Sequence, residues 1–395
     1  MNRHFLRDIA DIQTGPFGSQ LHKEDYVDIG TPIVTVEHLG NRIFTEQNLP
    51  KVSDEDKARL SKYVLKEGDI VFSRVGSVDR CSYVDDAHDG WMFSGRCLRV
   101  RPNTEVDPLY LYYFFCLEDT KQFVRNIAVG ATMPSINTKL LGEVEVVYPS
   151  QREQQKIVAL LSALDDKIEI NQKINDNLEQ QVQAYFQELF VDNADPAWTL
   201  GTISDLGTVV GGSTPSKSKP EYYTEDGIAW ITPKDLSINK AKFISHGEND
   251  ITELGLKNSS ASIMPEGTVL FSSRAPIGYI AIASGEVTTN QGFKSVVPKP
   301  EIGTAYVYCF LKHNLPVIEG MASGSTFKEV SGSTMKNVPA VIPDTETLTC
   351  FNDFCAPIFA HQRILEEQNQ SLAALRDSLL PKLMSGEIDV SAIQL

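Results

Sequence analysis

The chain has 395 residues and a formal net charge of −16 at pH 7. Hydrophobic residues make up 42% and charged residues 22%, which is typical of a globular protein large enough for two or three domains. The acidic balance argues against a stand-alone, non-specific DNA binder, which would carry a basic surface. The N-terminus lacks an apolar segment of signal-peptide length, and the densest apolar run, Leu109–Leu117, is too short to span a bilayer. We therefore expect a cytoplasmic protein with no membrane partner.

Cysteine and histidine usage argues against two classes of site. The 6 cysteines form no CxxC pair, which indicates reduced thiols. The 7 histidines form neither an HxxxH nor an HExxH motif, so the sequence predicts no metal centre.

Residues 1–150 predict a mixed, loop-rich α+β domain. Short runs rich in Val, Ile, Phe and Tyr, such as DIVFSR and VEVVY, lie between clusters of Gly, Pro, Ser and Asn. This alternation is typical of strands joined by turns. One helix is predicted late in the domain, over PLYLYYFFCLEDTKQFV.

Residues 151–195 predict one long helix. Ser150 followed by Glu153 forms the pattern of a capping box, with Pro149 just outside. Apolar residues then recur at the 3-4 spacing of a heptad seam, which is typical of coiled coils. The predicted seam residues that pair with another helix are Leu164, Ile168, Asn171, Asn175, Leu178 and Val182.

Residues 196–345 repeat the first domain. EGTVLFSSR echoes EGDIVFSR, GIAWITPKDLS echoes GTPIVTVEHLG, and SGSTFKEVS echoes VGATMPSIN. The offset varies between about 194 and 199 residues, as expected when loops differ in length and the scaffold does not. The chain is therefore a duplication, and TAYVYCFLKHNLPVIEG is the second domain's predicted late helix.

Residues 346–395 predict a second long helix, beginning near Glu346. Its predicted pairing residues are Ile358, His361, Leu365, Leu372 and Leu375. Pro357 is expected to cause a kink and Pro381 to begin the helix exit. One interpretation is that each long helix packs only on its own domain. The alternative, which we favour, is an antiparallel coiled coil in which the two polar centres meet and fix the register.

Catalytic motifs are missing from the sequence. There is no GxxxxGK[ST] phosphate loop, no GxGxxG beside a strand, no GxSxG elbow and no Asn-Pro-Pro-aromatic motif of amino-methyltransferases. The sequence therefore favours a recognition subunit without catalytic residues, metal or bound cofactor.

The order domain–helix–domain–helix, with PSQREQQKIV…LDDKIE closing the first half and LLPKLMSGEI the second, resembles the specificity subunit of type I restriction–modification systems. GPFGSQL near the N-terminus also resembles the start of a target-recognition domain. The resemblance implies that residues 1–150 and 196–345 each read one half of a split, asymmetric site in double-stranded DNA. It implies that the two helices set the gap between the halves.

The resemblance also implies partners. Two methyltransferase subunits bind such a protein, and restriction–translocase subunits can join. S-adenosylmethionine, ATP and magnesium would be held by those partners only. Two alternatives stay open: a recognition chain with cryptic nuclease or methyltransferase activity, and a coiled-coil scaffold that binds only protein.

Base readout needs side chains that donate in bidentate geometry, held on loops of a rigid scaffold. The candidates for DNA contact in the first domain are Gln20, His22, Lys23, Arg74, Ser77, Arg80 and Arg96. In the second domain they are Ser216, Lys217, Lys219, Lys234, Asp235 and Arg274.

Arg274 is the single arginine of residues 196–345, and the repeat alignment places it where the first domain has Arg74. A shared position predicts a shared role, either as a phosphate clamp or as a structural ion pair. Glu37 aligns with Lys234, and such differences are candidates for sequence-specific contacts. Thr132 and Thr326, in the matched turns, are expected to tie domain to helix.

Overall fold

The computed structural model describes residues 1–16, 20–324 and 328–391. Thr326 and part of GPFGSQL therefore lie outside the described residues. The chain forms two compact units. Unit 1 comprises residues 1–168 and 371–395, and unit 2 comprises residues 169–370. Each unit thus contains one α+β domain together with a part of each long helix.

The elements of the first domain alternate as the turn-rich sequence predicts. Its strands are β1 (Asn2–Phe5), β2 (Ala10–Thr14), β3 (Tyr26–Val27), β4 (Thr31–Val34), β5 (Lys51–Val52), β6 (Ile70–Ser73), β7 (Cys81–Tyr83), β8 (Met92–Phe93), β9 (Cys97–Pro102) and β10 (Glu145–Tyr148). Its helices are α1 (Leu6–Ile9), α2 (Asp54–Arg59), α3 (Pro108–Cys116), α4 (Glu118–Ile127) and α5 (Thr138–Leu141), after which the long helix α6 (Gln151–Gln187) begins.

The second domain repeats this order. Its strands are β11 (Thr199–Thr202), β12 (Gly207–Gly211), β13 (Tyr223–Thr224), β14 (Ile228–Ile231), β15 (Phe243–Ile244), β16 (Asn249–Ile251), β17 (Val269–Ser273), β18 (Ile277–Ala283), β19 (Thr288–Thr289), β20 (Lys294–Pro298) and β21 (Pro339–Ile342). Its helices are α7 (Ile203–Leu206), α8 (Pro233–Ile238), α9 (Glu253–Lys257), α10 (Thr304–His313), α11 (Leu315–Gly320) and α12 (Gly332–Lys336), followed by the long helix α13 (Thr345–Ser385).

The sheets match between the units. Unit 1 has the sheet orders β2-β9-β6-β7 and β3-β5-β4-β8, and β1 pairs with β10. Unit 2 has β12-β20-β17-β18-β15 and β13-β16-β14-β19, and β11 pairs with β21. The added strand β15 lies parallel to β18 at the edge of its sheet. The duplicated α+β architecture predicted from the sequence is confirmed.

Each unit has two hydrophobic cores. In unit 1 the larger core joins strands β6 and β9 to the aromatic face of α3, and the end of α13 closes it through Leu380 and Leu383. A smaller core surrounds Ile33 and Phe93. Unit 2 repeats the arrangement around Phe271 and Phe351, and around Ile231 and Phe293.

The predicted late helix of each domain is in fact two helices. In unit 1 the break falls at Leu117, which has extended ψ of 133° and precedes α4. In unit 2 the break falls at Asn314, and Pro316 lies in the first turn of α11. Because this proline lacks the N–H that would continue the hydrogen bonding of α10, a new helix begins there.

The long helices run antiparallel within unit 2. Asn171 Nδ2 donates to Asn369 Oδ1 at 2.8 Å, and Gln362 Nε2 donates to the Asn175 carbonyl at 3.2 Å. Further along, the Tyr185 ring lies 5.8 Å from that of Phe351. Residue numbers thus rise on one helix as they fall on the other, and polar side chains meet near the middle.

The start of α6 follows the predicted cap. The Glu153 carboxylate accepts from both the backbone N–H and the hydroxyl of Ser150, at 3.1 and 2.6 Å. The prediction for α13 was wrong at its end, because the helix continues past Pro381 to Ser385. A proline in a helix removes one hydrogen bond, and burial of Leu383 and Met384 in the core of unit 1 offsets that loss.

The predicted seam of α13 was wrong by one residue at two positions. His361 is exposed and Leu375 is 47% exposed, whereas Gln362 and Arg376 face the partner helix. Arg376 donates to Asp165 at 2.6 Å, and Tyr113 donates to the other oxygen of that carboxylate at 2.7 Å. The remaining seam residues are buried or half-buried: Leu164, Ile168, Asn171, Asn175, Leu178, Val182, Ile358, Leu365 and Leu372.

Candidate nucleic-acid interface

Four loop segments of unit 1 converge at one end of its sheet β2-β9-β6-β7. We call them the loop cluster: the turn beginning at Gly15 after β2, the loop 74–80 after β6, the turn 94–96 before β9 and the hairpin 129–135. The Gly15 N–H donates to the Cys97 carbonyl at 3.2 Å, and the Arg74 N–H donates to the Arg96 carbonyl at 2.8 Å. The Ile136 N–H donates to the Arg74 carbonyl at 2.9 Å, which attaches the hairpin.

Unit 2 forms a corresponding loop cluster from the loops after β12 and β17 and the turn before β20, and the two backbone contacts of its Ser273 are equivalent to those of Arg74. The Ser213 N–H donates to the Thr289 carbonyl, and the Ser273 N–H donates to the Gly292 carbonyl, at 2.9 and 2.7 Å. The Val330 N–H donates to the Ser273 carbonyl at 2.9 Å. The backbone thus holds these loops in the same arrangement in both units, while their side chains differ.

Glycine is required where the loop after β2 crosses the turn before β9, and where the loop after β12 crosses the turn before β20. A Cβ at Gly15 would lie 2.2 Å from the Ser94 carbonyl oxygen, and one at Gly212 would lie 2.0 Å from the Asn290 carbonyl oxygen. Both distances are far below van der Waals contact. The Gly-rich segments of the two repeats are therefore explained by this close backbone approach.

The backbone pattern corrects the alignment of the two arginines. Arg74 and Ser273 make the same two backbone hydrogen bonds, so Ser273 occupies the position of Arg74. Arg274 lies one residue further on, beyond the bulge that separates Phe271 from Ser273 in the pairing of β17 with β18. It pairs with Glu329 at 3.5 Å. The prediction of a shared position was wrong, because β17 contains one more residue than β6 before the loop begins.

Four of the predicted DNA-contacting residues of unit 1 lie in its loop cluster, namely Arg74, Ser77, Arg80 and Arg96, whereas Gln20, His22 and Lys23 lie between β2 and β3. Arg74 is half-buried and donates through Nη1 to the Gly95 carbonyl at 3.2 Å. Arg80 bonds the Leu39 carbonyl through Nη2, and Arg96 and Ser77 are exposed. Gln20 accepts from the Tyr63 hydroxyl at 2.6 Å. His22 and Lys23 are exposed at a short 3-10 turn.

In unit 2 the predicted residues divide between surface and scaffold. Ser216, Lys217 and Lys219 are exposed on the loop that follows β12, and Lys234 pairs with Glu248. Asp235 is 8% exposed, and its carboxylate accepts from the N–H and hydroxyl of Thr232. It also accepts from the Glu248 N–H at 2.8 Å. Asp235 therefore caps α8, and its prediction as a DNA-contacting residue was wrong.

Three polar residues of the unit 2 loop cluster were missed by sequence reasoning: Asn290, Gln291 and Lys294. The turn that contains the first two corresponds to the one that carries Arg96 in unit 1. Lys294 lies at the start of β20 and is 15% exposed in its side chain, between Glu329 at 3.6 Å and the Gln291 carbonyl at 3.3 Å. Aligning TTNQGFK with MFSGRCL would have shown these residues.

The loop clusters carry side chains that donate or accept hydrogen bonds, on a backbone that is held in place by its own hydrogen bonds. This arrangement suits binding. Across residues 1–16, 20–324 and 328–391, no three His, Cys, Asp or Glu side chains are grouped to hold a metal ion. Over the same residues no helix is both long and apolar enough to cross a bilayer.

Two copies of a loop-presenting α+β domain, each followed by a long helix, define a duplicated recognition protein. The sequence model of the type I restriction modification DNA specificity domain matches residues 2–180 and again residues 197–368. The chain belongs to this family, and the resemblance found in the sequence is confirmed.

Proteins similar to this chain in sequence or structure include specificity subunits of type I restriction enzymes. The type I restriction enzyme HindI specificity subunit of Haemophilus influenzae is 25% identical over 408 residues, covering 83% of this chain and 88% of that protein. The MjaIX specificity subunit of Methanocaldococcus jannaschii is 40% identical over 191 residues, covering 46% of this chain and 44% of that protein. The crystal structure of a type I restriction–modification S subunit from M. genitalium shares the fold, with a TM-score of 0.57 and 18% identity over 97% of this chain and 95% of that one.

Proposed function

We propose that the chain is the non-catalytic subunit that gives a type I restriction–modification complex its DNA specificity. Each unit would read one half of a bipartite, asymmetric site through its loop cluster. The observation that carries the proposal is the repetition of one backbone arrangement with different side chains. Equivalent positions hold Arg74 and Ser273 in one case, and Arg96 and Gly292 in another.

This repetition supports two distinct half-sites. Arginine donates in bidentate geometry to guanine, and asparagine or glutamine does so to adenine. Unit 1 presents Arg74 and Arg96, whereas unit 2 presents Asn290 and Gln291. Two recognition domains with the same side chains would bind the same half-site sequence twice, which gives a symmetric site. Two domains with different side chains bind different half-site sequences, which gives an asymmetric site.

The charge of −16 fits a subunit that relies on partners to attract DNA. In unit 2, Arg274 and Lys294 both lie within 3.6 Å of Glu329, which lowers their net positive charge. Methyltransferase subunits that surround the DNA would supply the missing phosphate contacts, and restriction subunits could then join. The paired helices would set the length of the gap between the half-sites.

The test is to express the chain together with its methyltransferase subunit and to map methylated adenines in the host genome by long-read sequencing. One bipartite motif with a fixed gap is expected. DNA affinity should be weak for the chain alone and at least about tenfold tighter with the methyltransferase. Equal affinities, or methylation without a bipartite motif, would contradict the proposal.

A further inference from the structure

Lys242 is a buried cation that joins three elements of unit 2. It precedes β15, and its side chain is 7% exposed. Its ammonium group lies 2.6 Å from the Glu179 carboxylate of α6 and donates to Gln362 Oε1 of α13 at 2.7 Å. The same group lies 3.7 Å from the centroid of the Phe359 ring. Burying a charge is costly unless it is paired and hydrogen-bonded, so these partners must hold a defined geometry.

The backbone beside Lys242 is attached to α13 as well. The N–H groups of Lys242 and Phe243 donate to the two oxygens of Glu366 at 2.8 and 3.0 Å. The Lys242 carbonyl accepts from the Ile282 N–H at 2.7 Å, on strand β18 of the sheet that carries the loop cluster. The segment at Lys242 therefore connects that sheet to both long helices.

The surroundings of Glu179 favour the charged form of its carboxylate. Burial raises the pKa of Glu179, but Lys242 and Lys312 outweigh this effect and hold the pKa at about 2. Burial lowers the pKa of Lys242, while Glu179 opposes that change. Lys312 lies 2.7 Å from the other oxygen of Glu179, so the carboxylate is held between two ammonium groups.

Unit 1 has a cation at the matching position but pairs it differently. The Arg42 carbonyl accepts from the Tyr83 N–H at 2.7 Å, as the Lys242 carbonyl does from Ile282. The Arg42 side chain pairs with Asp166, on the part of α6 that belongs to unit 1. In each unit an ion pair thus joins the sheet to α6, but the two ion pairs use different residues.

We propose that Lys242 is a positioning residue for DNA recognition by unit 2, fixing the placement of its loop cluster on residues 169–187 of α6 and 345–370 of α13. This inference rests on the proposed function. A recognition domain that shifts on its helices presents its loops to a different base pair. Lys242 would therefore restrict the complex to one gap length.

The experiment uses the full chain with its methyltransferase and a set of targets whose gap is shortened or lengthened by one base pair at a time. Lys242→Met removes the charge at similar length, and Lys240→Met is the matched control, because Lys240 is exposed two residues earlier in the same segment. We expect Lys242→Met to lower methylation of the native target about tenfold or more and to raise the relative rate on neighbouring gap lengths. Lys240→Met should keep the wild-type profile.

A second variant covers the case in which Lys242→Met does not fold. The pair Lys242→Gln with Glu179→Gln keeps polar groups at both positions and leaves neither of the two charges alone, and it should broaden the gap profile in the same way. A loss that is uniform over all gap lengths, or an unchanged profile, would overturn the positioning role. If the wild-type complex methylates no bipartite target at all, the proposed function itself is wrong.

Discussion

Asn171 donates through Nδ2 to Oδ1 of Asn369 at 2.8 Å, across the two antiparallel helices of unit 2. Asn171 is fully buried, with 0% of its surface exposed. A buried amide pair contributes little net stability, but a shifted register would break this hydrogen bond. The contact therefore selects one register of the helices over its neighbours.

Replacing one member of this pair should cost more than replacing both. We expect Asn171→Leu or Asn369→Leu alone to lower the free energy of unfolding by about 1–3 kcal/mol, because each removes this hydrogen bond from the amide that remains. The double variant Asn171→Leu with Asn369→Leu should be less destabilised than the sum of the single variants, or more stable than wild type. Denaturant unfolding of all four proteins gives the coupling energy, and strict additivity would contradict the account.

Acid should destabilise unit 2 through Glu179. Its pKa is held at about 2, below the ordinary 4.5, so the folded state binds its proton less readily than the unfolded state. The resulting stability is complete above pH ~4.5 and is lost as the pH falls through ~2. Unfolding measured from pH 6 to pH 2 should show a smaller pH dependence for Glu179→Gln than for wild type. Equal slopes would show that this carboxylate contributes no linkage.

Glu179→Gln also tests the charge balance at neutral pH. The variant leaves Lys242 and Lys312 close together without a carboxylate between them. We expect a loss of about 3–5 kcal/mol in unfolding free energy, as for other broken buried pairs. Glu253→Gln is a suitable control, because Glu253 forms an exposed ion pair with Lys257 and should change stability by less than ~0.5 kcal/mol.

Arg96 in the unit 1 loop cluster should affect only one half-site. If it reads a base, Arg96→Ala should weaken discrimination at one position of one half-site by about 1–3 kcal/mol. The other half-site should be unchanged. Arg3→Ala, at an exposed arginine that pairs with Glu145 on β10, is the control. Binding or methylation assays on targets with single base changes measure the effect, and a uniform loss over all targets would indicate a phosphate contact instead.

The gap length can be tested by lengthening both helices together. An insertion after Ile168 in α6 alone would put either the Asn171–Asn369 contact or the Asp165–Arg376 contact out of register. Seven residues placed after Ile168 and seven placed after Gln370 lie at the boundaries of the two units and leave the contacts within each unit in register. Each insertion adds about 10 Å of helix at 1.5 Å per residue. The methylated motif should then have a gap longer by about three base pairs at roughly 3.4 Å per pair. An unchanged gap would contradict the proposed role of the helices.

Much of the secondary structure of this protein could be predicted from interactions between residues that are close in sequence. The Ser150–Glu153 cap and the heptad spacing predicted α6, because capping and side-chain periodicity depend on neighbours in sequence. Alternating apolar runs and turns predicted the duplicated α+β domains for the same reason. The crowded Gly15 and Gly212 could be read as turn residues, but the carbonyl oxygens that exclude a Cβ there come from turns distant in sequence.

Register was decided only by tertiary structure. The heptad spacing predicts that His361 and Leu375 face the partner helix. A residue next to each of them fits the same spacing almost as well. Instead Gln362 is buried and Arg376 is half-buried, because Lys242, Asn175 and Asp165 satisfy their polar groups from elsewhere in the chain. In the same way, backbone hydrogen bonds to distant segments place Ser273, and not Arg274, at the position of Arg74, although the letters align. The sequence by itself determined the elements and their duplication, and long-range hydrogen bonds determined which residue occupies each position within them.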